Sequence, residues 1–234
     1  MTLQANPATP RVNVYVDGFN LYYGSVKDTP YKWLDLSRLC AELLPGETIC
    51  RIRYFTALVN PSPTNPDQRL RQETYLRALK TIPTLTVKYG YFLLKQDLRI
   101  PVYPLFPPNA AVPNPANAPI LVWKVEEKGS DVNLATSLLL DAAANDFDAA
   151  WVITNDSDLA WPIEMARRTY RLPVGVFKPD RPASYPSPRP RPDSWPLMKS
   201  ARSFRRIEER HLVASQFAAT LADALGPIVK PVSW

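Results

Sequence analysis

Apolar and polar positions repeat with two different periods along this chain, and the change of period marks the predicted elements. Short apolar runs rich in β-branched residues predict strands over residues 11–17, 48–59, 85–94, 120–127, 148–154 and 173–177. Apolar residues three and four positions apart predict helices over residues 19–26, 34–44, 65–80, 131–145, 157–170 and 208–225. Strands that alternate with helices predict an α/β domain with a mainly parallel, doubly wound sheet.

Two proline-rich stretches interrupt this pattern. Residues 101–119 contain seven prolines, and a second such stretch covers residues 179–196. Because proline cannot donate a backbone hydrogen bond, we expect irregular loops there, and long loops in compact domains are commonly functional. We predict three segments. They are an α/β domain over residues 1–178 with an insertion at about 101–119, a basic proline-rich segment over 179–206, and a C-terminal helix and tail over 207–234 that pack on the domain.

Composition excludes several classes of protein. The chain has 234 residues, of which 46% are hydrophobic, and this is enough for one well-buried core. It contains no apolar run long enough to cross a membrane, and its N-terminus lacks the pattern of a secretory signal, so we expect a cytoplasmic protein. Cys40 and Cys50 are then expected to be reduced thiols. With His211 as the single histidine, a zinc site or a histidine-dependent triad is disfavoured.

Positive charge is concentrated in one part of the chain. The net charge is +6, but residues 167–206 hold eleven Lys and Arg against two Asp, which is a local charge of +9. Such a segment is expected to hold a polyanion, although a charge run can also be a solubilising surface. The predicted phosphate-binding residues in this segment are Arg189, Arg191, Arg202 and Arg205.

Aspartates follow three of the predicted strands, where the next helix begins. They are Asp17, Asp131 and the pair Asp156 and Asp158. The carboxyl ends of parallel strands face a common crevice, so these side chains are expected to converge. Each aspartate taken singly could instead cap its helix. Two carboxylates within one helical turn repel each other and favour a bound cation, and Mg²⁺ is the usual one.

Other polar residues in the same motifs are candidates for contacts with a substrate. The amide of Asn20 can orient a water molecule or a metal ligand. Of Glu126 and Glu127, one is expected to point into the crevice because side chains alternate along a strand. The predicted substrate-binding residues beside the aspartates are Lys128, Asn155 and Ser157. Lys128 would meet a phosphate, Asn155 would orient one, and Ser157 is also suited to capping its own helix.

The three motifs VDGFNLYYG, EEKGSDVNLATSLLLDA and ITNDSDLAWPIEMAR together resemble the NYN domain, a branch of the PIN-like nucleases. The resemblance runs over residues 11–177, and the tail SQFAATLADALGPIVKPVSW is similar to the end of bacterial proteins of this group. It implies a Rossmann-like three-layer sandwich, an acidic site for Mg²⁺ or Mn²⁺, and cleavage of RNA. The site residues that it implies are Asp17, Asn20, Asp131, Asp156 and Asp158. The chain departs from many relatives at Ser137, where they have aspartate.

These observations predict a metal-dependent ribonuclease that hydrolyses single-stranded RNA. Asp17, Asp131, Asp156 and Asp158 would bind one or two divalent ions. An alternative is an RNA-binding or regulatory adaptor with the same fold and little turnover, which the serine at position 137 would fit. A phosphatase is disfavoured because the first strand ends in Asp-Gly-Phe rather than Asp-x-Asp. The expected partner is RNA, without a membrane. Self-association and a protein partner bound at the proline-rich loops both stay open.

Overall fold

A computed structural model describes residues 10–62, 64–100, 119–187 and 190–234. Its strands are β1 (Arg11–Asp17), β2 (Thr48–Thr56), β3 (Leu85–Tyr89), β4 (Tyr91–Arg99), β5 (Ile120–Lys128), β6 (Ala149–Ile153), β7 (Val174–Pro179), β8 (Ser203–Ile207), β9 (Thr220–Asp223) and β10 (Gly226–Val229). Six of them form one parallel sheet in the order β3-β2-β1-β6-β7-β8. The α/β fold with a parallel central sheet is therefore confirmed.

Helices cover both faces of this sheet. They are α1 (Gly18–Leu21), which continues as a π-helical turn over Tyr22–Val26, α2 (Leu36–Leu43), α3 (Gln68–Leu79), α4 (Ser130–Ala143), α5 (Ala160–Thr169), α6 (Trp195–Ser200) and α7 (Glu209–Ala214). A 3₁₀ turn over Ser157–Leu159 leads into α5. Within the described ranges, no helix is both long and apolar enough to cross a bilayer.

Alternation along the central strands separates two apolar cores. Val12, Val14 and Val16 of β1 point to one face and pack with residues of α2 and α7. Tyr15 of β1 points to the other face and packs with residues of α4, α5 and α6. Buried apolar residues on both faces of a strand are typical of a parallel sheet covered by helices on both sides. The sandwich therefore has three layers.

The order of strands reverses between β1 and β6. From β1 the chain proceeds outward through β2 and β3 on one side, and from β6 through β7 and β8 on the other side. The carboxyl ends of two neighbouring strands with diverging connections leave a crevice, and doubly wound folds bind ligands in it. Asp17 ends β1, and Thr154 directly follows β6. The topology thus places two of the predicted motifs side by side.

The predicted strand over residues 85–94 is wrong in extent, because the strand is interrupted at Gly90. β3 ends at Tyr89, and β4 leaves the sheet to pair with β5 in an antiparallel two-stranded ribbon. Consequently β5 does not belong to the parallel sheet, although its motif was expected to end a parallel strand. A Cβ atom at Gly90 would lie 2.4 Å from the Glu127 side chain and from the Lys128 carbonyl oxygen. Only glycine therefore allows the two segments to approach so closely.

The C-terminal part of the chain also differs from the prediction. The basic segment contains β8, which extends the sheet beyond residue 178. The helix expected over residues 208–225 ends at Ala214, and β9 and β10 follow as a hairpin. Gly226 supplies a left-handed conformation (φ 108°) at the hairpin turn. Ile228 and the ring of Trp234 pack against Trp33. The division into three segments stays a prediction.

Candidate functional site

Asp17 is held at the crevice by a dense set of hydrogen bonds. Its carboxylate accepts bonds from the Asn20 backbone amide (2.9 Å), the Asn20 side-chain amide (2.6 Å) and the Thr154 hydroxyl (3.0 Å). Asp17 thus caps α1 and also links β1 to the end of β6. Only 3% of the residue is exposed, and burial raises the pKa of its carboxyl group, while the bonds from Asn20 and Thr154 act in the opposite direction.

Asp156 and Asp158 lie directly beyond β6. The Thr154 hydroxyl oxygen accepts a bond from the Asp156 amide (3.0 Å), and the Asp156 carboxylate accepts one from the Asp158 amide (3.0 Å). Asp156 is half-buried and caps the 3₁₀ turn, whereas Asp158 is exposed. The functional and the capping interpretations of Asp17 and Asp156 are therefore compatible, because each carboxylate does cap a helical turn while it faces the crevice.

Asp131 comes to the same crevice from the first turn of α4. Burial and then the negative charges of Asp17, Asp156, Glu127 and Asp158, in that order, raise the pKa of the Asp131 carboxyl to about 7. A carboxyl group shifted in this way lies within electrostatic reach of all four others. The structure therefore places the other three predicted aspartates within electrostatic reach of Asp131, although the strand before Asp131 lies outside the parallel sheet.

Strand alternation decides between the two glutamates of β5. Glu127 accepts bonds from the Ser130 amide (3.1 Å) and hydroxyl (2.7 Å), which fixes the start of α4 beside the aspartates. Glu126 points to the opposite face of the ribbon, where it pairs with Lys95, Lys124 and Lys128. Lys128 forms an ion pair with Glu126 (3.0 Å) on the face away from Glu127, and its phosphate contact stays a prediction.

The donor set at the crevice suits a hard divalent cation. It consists of carboxylate, amide and hydroxyl oxygens, which are the ligands that Mg²⁺ and Mn²⁺ prefer. Among the described residues, no three His, Cys, Asp or Glu side chains already lie close enough together to hold a metal. Mg²⁺ normally takes only one or two carboxylates and completes its shell with waters and phosphates. A cation would also relieve the repulsion that raises the pKa of Asp131.

A cleft of about 330 Å³ opens beside the aspartates. Its lining residues are Phe19, Asn20, Tyr23, Asn155, Asp156, Ser157 and Arg191. Ser157 is exposed there, as a contact with substrate would require. The Arg191 guanidinium lies 3.4 Å from the Asn20 side-chain oxygen. The cleft therefore has the Asp156 carboxylate on one wall and the Arg191 guanidinium on another, which suits a phosphodiester.

Asn155 and Lys178 hold the segment that carries Arg191. The Asn155 side chain donates to the Pro192 carbonyl oxygen (3.0 Å) and accepts from the Ser194 amide (3.1 Å). The Lys178 ammonium, which is 2% exposed, donates to the Arg191 carbonyl oxygen (2.8 Å) and to Asp193 (2.8 Å). Hydrogen bonding from Lys178 keeps the pKa of Asp193 below its usual range. Asn155 therefore positions this segment and also lines the cleft, and its contact with a phosphate stays a prediction.

The other predicted basic residues lie elsewhere. Arg202 precedes β8 at the end of the sheet opposite to the aspartates, since its neighbour Ser203 pairs with Gly175 near the start of β7. The Arg205 guanidinium lies over the Trp151 ring, 5.1 Å from its centroid. Arg189 lies outside the described residues. The structure thus brings Arg191 to the cleft and leaves Arg202 and Arg205 away from it.

Two residues with clear roles at the site were missed in the sequence. Thr154 links Asp17 to Asp156, and its only signal was its position between a predicted strand and the Asn-Asp motif. Lys178 was counted as one of many basic residues. Its signal was a lysine at the end of an apolar strand, where an unpaired charge would be costly.

Comparison with known proteins decides the family. The sequence profile of the NYN domain matches residues 11–189, which is most of the chain. The chain belongs to the NYN domain family. The predicted family is confirmed, and the matched region contains Asp17, Asp131, Asp156 and Asp158.

One curated protein and one solved structure are similar to this NYN chain. The 6-hydroxy-3-succinoylpyridine 3-monooxygenase HspA of Pseudomonas putida is 32% identical over 250 aligned positions, which cover 96% of this chain and 75% of HspA. A crystal structure of a protein of unknown function from Vibrio parahaemolyticus superposes with a TM-score of 0.52 at 13% identity. It covers 92% of this chain and all of the other one, and it supports the fold alone.

Proposed function

We propose that this chain is a divalent-metal-dependent ribonuclease that hydrolyses phosphodiester bonds of single-stranded RNA. The observation that carries the proposal is the convergence of Asp17, Asp131 and Asp156 at the switch point of the sheet, with the pKa of Asp131 raised to about 7. Membership of the NYN family supports a nuclease-like reaction.

The residues divide into three roles. Asp17, Asp131 and Asp156 would hold Mg²⁺ or Mn²⁺, with Asp158 as a further ligand or an outer-sphere base. A bound ion supplies a water of lowered pKa and neutralises charge on the phosphate oxygens. Asn20 keeps the Asp17 carboxylate in place through two hydrogen bonds. The Arg191 guanidinium would bind a phosphate next to the cleaved bond.

Cleavage of a labelled single-stranded RNA tests this proposal. We expect internal cuts in Mg²⁺ or Mn²⁺, none in EDTA, and none with Asp156→Asn. A matched control is Asp67→Asn, since Asp67 is exposed and its side chain makes no capping bond in α3. Retention of RNA without cleavage in either metal would refute catalysis and favour the adaptor.

Arg191→Gln tests the phosphate contact separately. Loss of one such contact should weaken RNA binding about equally for all sequences and reduce the slope of affinity against salt by about one. Arg168→Gln is the matched control, because Arg168 pairs with Glu164 on the surface of α5. An unchanged salt slope would remove Arg191 from the RNA-binding surface.

A second candidate follows from the name of the Pseudomonas relative. It is monooxygenation of a substituted pyridine, and the observation in its favour is 32% identity over nearly the whole chain. The hard oxygen donors at the cleft are the reason why the phosphodiester reaction stands first. Oxygen uptake with 6-hydroxy-3-succinoylpyridine and an added reductant, measured on the preparation used for RNA cleavage, distinguishes the two. Uptake without RNA cleavage would favour the monooxygenase.

A further inference from the structure

A second and larger cavity, of about 510 Å³, lies beside the acidic cleft. Phe19 and Tyr23 line both, so the two spaces share a wall. The volume falls within the range of small-molecule sites. The nuclease proposed above does not require this cavity, and its lining differs in chemistry from that of the cleft.

Aromatic rings form the walls of this cavity. Tyr22, Tyr54, Tyr75 and Trp234 all line it. The rings of Tyr54 and Tyr75 lie 6.5 Å apart, and those of Tyr75 and Trp234 lie 5.8 Å apart, both pairs edge to face. Rings in this arrangement offer flat apolar faces to a planar ligand.

The backbone and the core hold these walls in place. A Cβ atom at Gly18 would lie 2.7 Å from the Tyr54 ring, so glycine is what allows this ring to lie against the start of α1. The Tyr75 hydroxyl donates to the Leu34 carbonyl oxygen (2.9 Å). The Gln72 side chain donates to the Ala57 carbonyl oxygen (2.8 Å) and accepts from the Val59 amide (2.8 Å). The cavity is therefore preformed, which favours affinity for a rigid ligand.

Three cations line the same cavity. Lys27, Lys32 and Arg71 are half-buried, and no carboxylate of the described ranges lies within ion-pair distance of them. Arg71 donates to the Asn65 side-chain oxygen, and the Lys27 ammonium lies 5.3 Å from the centroid of the Tyr23 ring. Asp28 is the acid of the lining, and Arg181 already faces it (3.8 Å). Half-buried cations without an acidic partner favour an anionic ligand.

From this lining we propose that the cavity binds a planar aromatic ring that carries an anionic group. The ring lies among Tyr22, Tyr54 and Tyr75, and the anion meets the Arg71 guanidinium. Two sources supply this chemistry. One is a nucleotide of an RNA strand whose neighbouring nucleotide enters the acidic cleft. The other is a free heteroaromatic carboxylate.

Isothermal titration in EDTA tests the proposal with two matched pairs of probes. They are uridine 5′-monophosphate against uridine, and nicotinate against nicotinamide, so that each pair differs in the anion. We expect at least one anionic probe to bind about tenfold or more tightly than its neutral partner. Binding of the nucleotide alone identifies the first source, and binding of nicotinate identifies the second.

Variants locate the bound probe. Arg71→Gln should weaken binding about tenfold, Arg71→Lys should restore part of it, and Tyr22→Leu should weaken both probes. Arg168→Gln should bind as the unmodified chain does, because its side chain does not line this cavity. Thermal unfolding verifies that each variant is folded. The proposal is overturned if no anionic probe binds at millimolar concentration, if neutral partners bind equally, or if Arg71→Gln binds as tightly as the unmodified chain. RNA cleavage is measured separately, so failure here leaves the nuclease proposal untouched.

Discussion

Replacing Asp131 by asparagine should stabilise the folded chain above neutral pH. The pKa of this carboxyl rises from its ordinary value of 3.8 to about 7 on folding. Between these values the folded chain keeps a proton that the unfolded chain has released. The stabilisation is therefore complete below about pH 4 and is lost as the pH rises to about 7. Above about pH 7, the ionised Asp131 carboxylate destabilises the folded chain, and Asp131→Asn removes this destabilisation.

The structure sets the size of this effect. A shift of that extent corresponds to roughly 4 kcal/mol, at 1.36 kcal/mol for each pKa unit. Asp131 is only half-buried, and solvent screens its interactions with the other carboxylates, so we expect about 2 kcal/mol. For a chain of this length, that is roughly 4–8 °C in Tm.

Urea unfolding followed by tryptophan fluorescence measures this change in stability. In EDTA at pH 8, the free energy of unfolding of Asp131→Asn should be about 2 kcal/mol higher than that of the unmodified chain. At pH 5 this difference should fall below half of that value. Added Mg²⁺ at pH 8 should stabilise the unmodified chain more than the variant, because the ion binds the folded, ionised cluster.

Asp67→Asn is the control, since it removes an exposed aspartate outside the crevice. It should leave stability unchanged at both values of pH. The reasoning is refuted if Asp131→Asn gives no gain at pH 8, or if the gain is the same at pH 5. Either result would mean that burial and the charges of the crevice do not raise the pKa of Asp131.

Three further substitutions test the surroundings of the site. Lys178→Met should lower the free energy of unfolding by about 2 kcal/mol and weaken RNA binding, because it removes the bonds of the ammonium to Asp193 and to the Arg191 carbonyl oxygen and so frees the arginine-bearing segment. Unchanged proteolysis of that segment would contradict this. Gly175→Ala should cost about 2 kcal/mol in urea unfolding, since its Cβ would lie 2.4 Å from the Trp151 ring, and an unshifted midpoint would disprove the contact. Ile228→Ala should cost about 3 kcal/mol in calorimetry if the tail is part of the folded domain, whereas a neutral result would make the tail dispensable.

Hydrophobic periodicity was sufficient for the central strands and failed at the edges. β1, β6 and β7 are buried on both faces, so their apolar runs are continuous and their bounds agree with the prediction to within a residue or two. The sequence of β8 is SFRRI, and its two arginines obscured the apolar pattern of a strand. The Arg205 guanidinium lies over the Trp151 ring. β9 was taken for the end of the helix predicted over residues 208–225, because both patterns place apolar residues a few positions apart.

The aspartates were predictable one by one, and their convergence was predictable in outline. Their positions after apolar runs identified Asp17 and Asp156 as residues at the carboxyl ends of strands. The location of Asp131 was predicted for a partly wrong reason. β5 pairs in the outer ribbon and not in the parallel sheet, and α4 carries the carboxylate to the crevice. Family resemblance supplied the same residues without requiring the strand to be correct.

The sequence alone determined the class of fold, the family and the four aspartates, because these depend on local periodicity and on residue types at strand ends. Tertiary structure decided which polar residues meet. Thr154 joins Asp17 to Asp156, Lys178 holds the segment of Arg191, and Lys128 turns away to Glu126. Such pairs are far apart in sequence or differ only in which face of a strand they occupy. The packing of whole elements determines both which distant residues meet and which face of a strand is covered. No local sequence pattern predicts either.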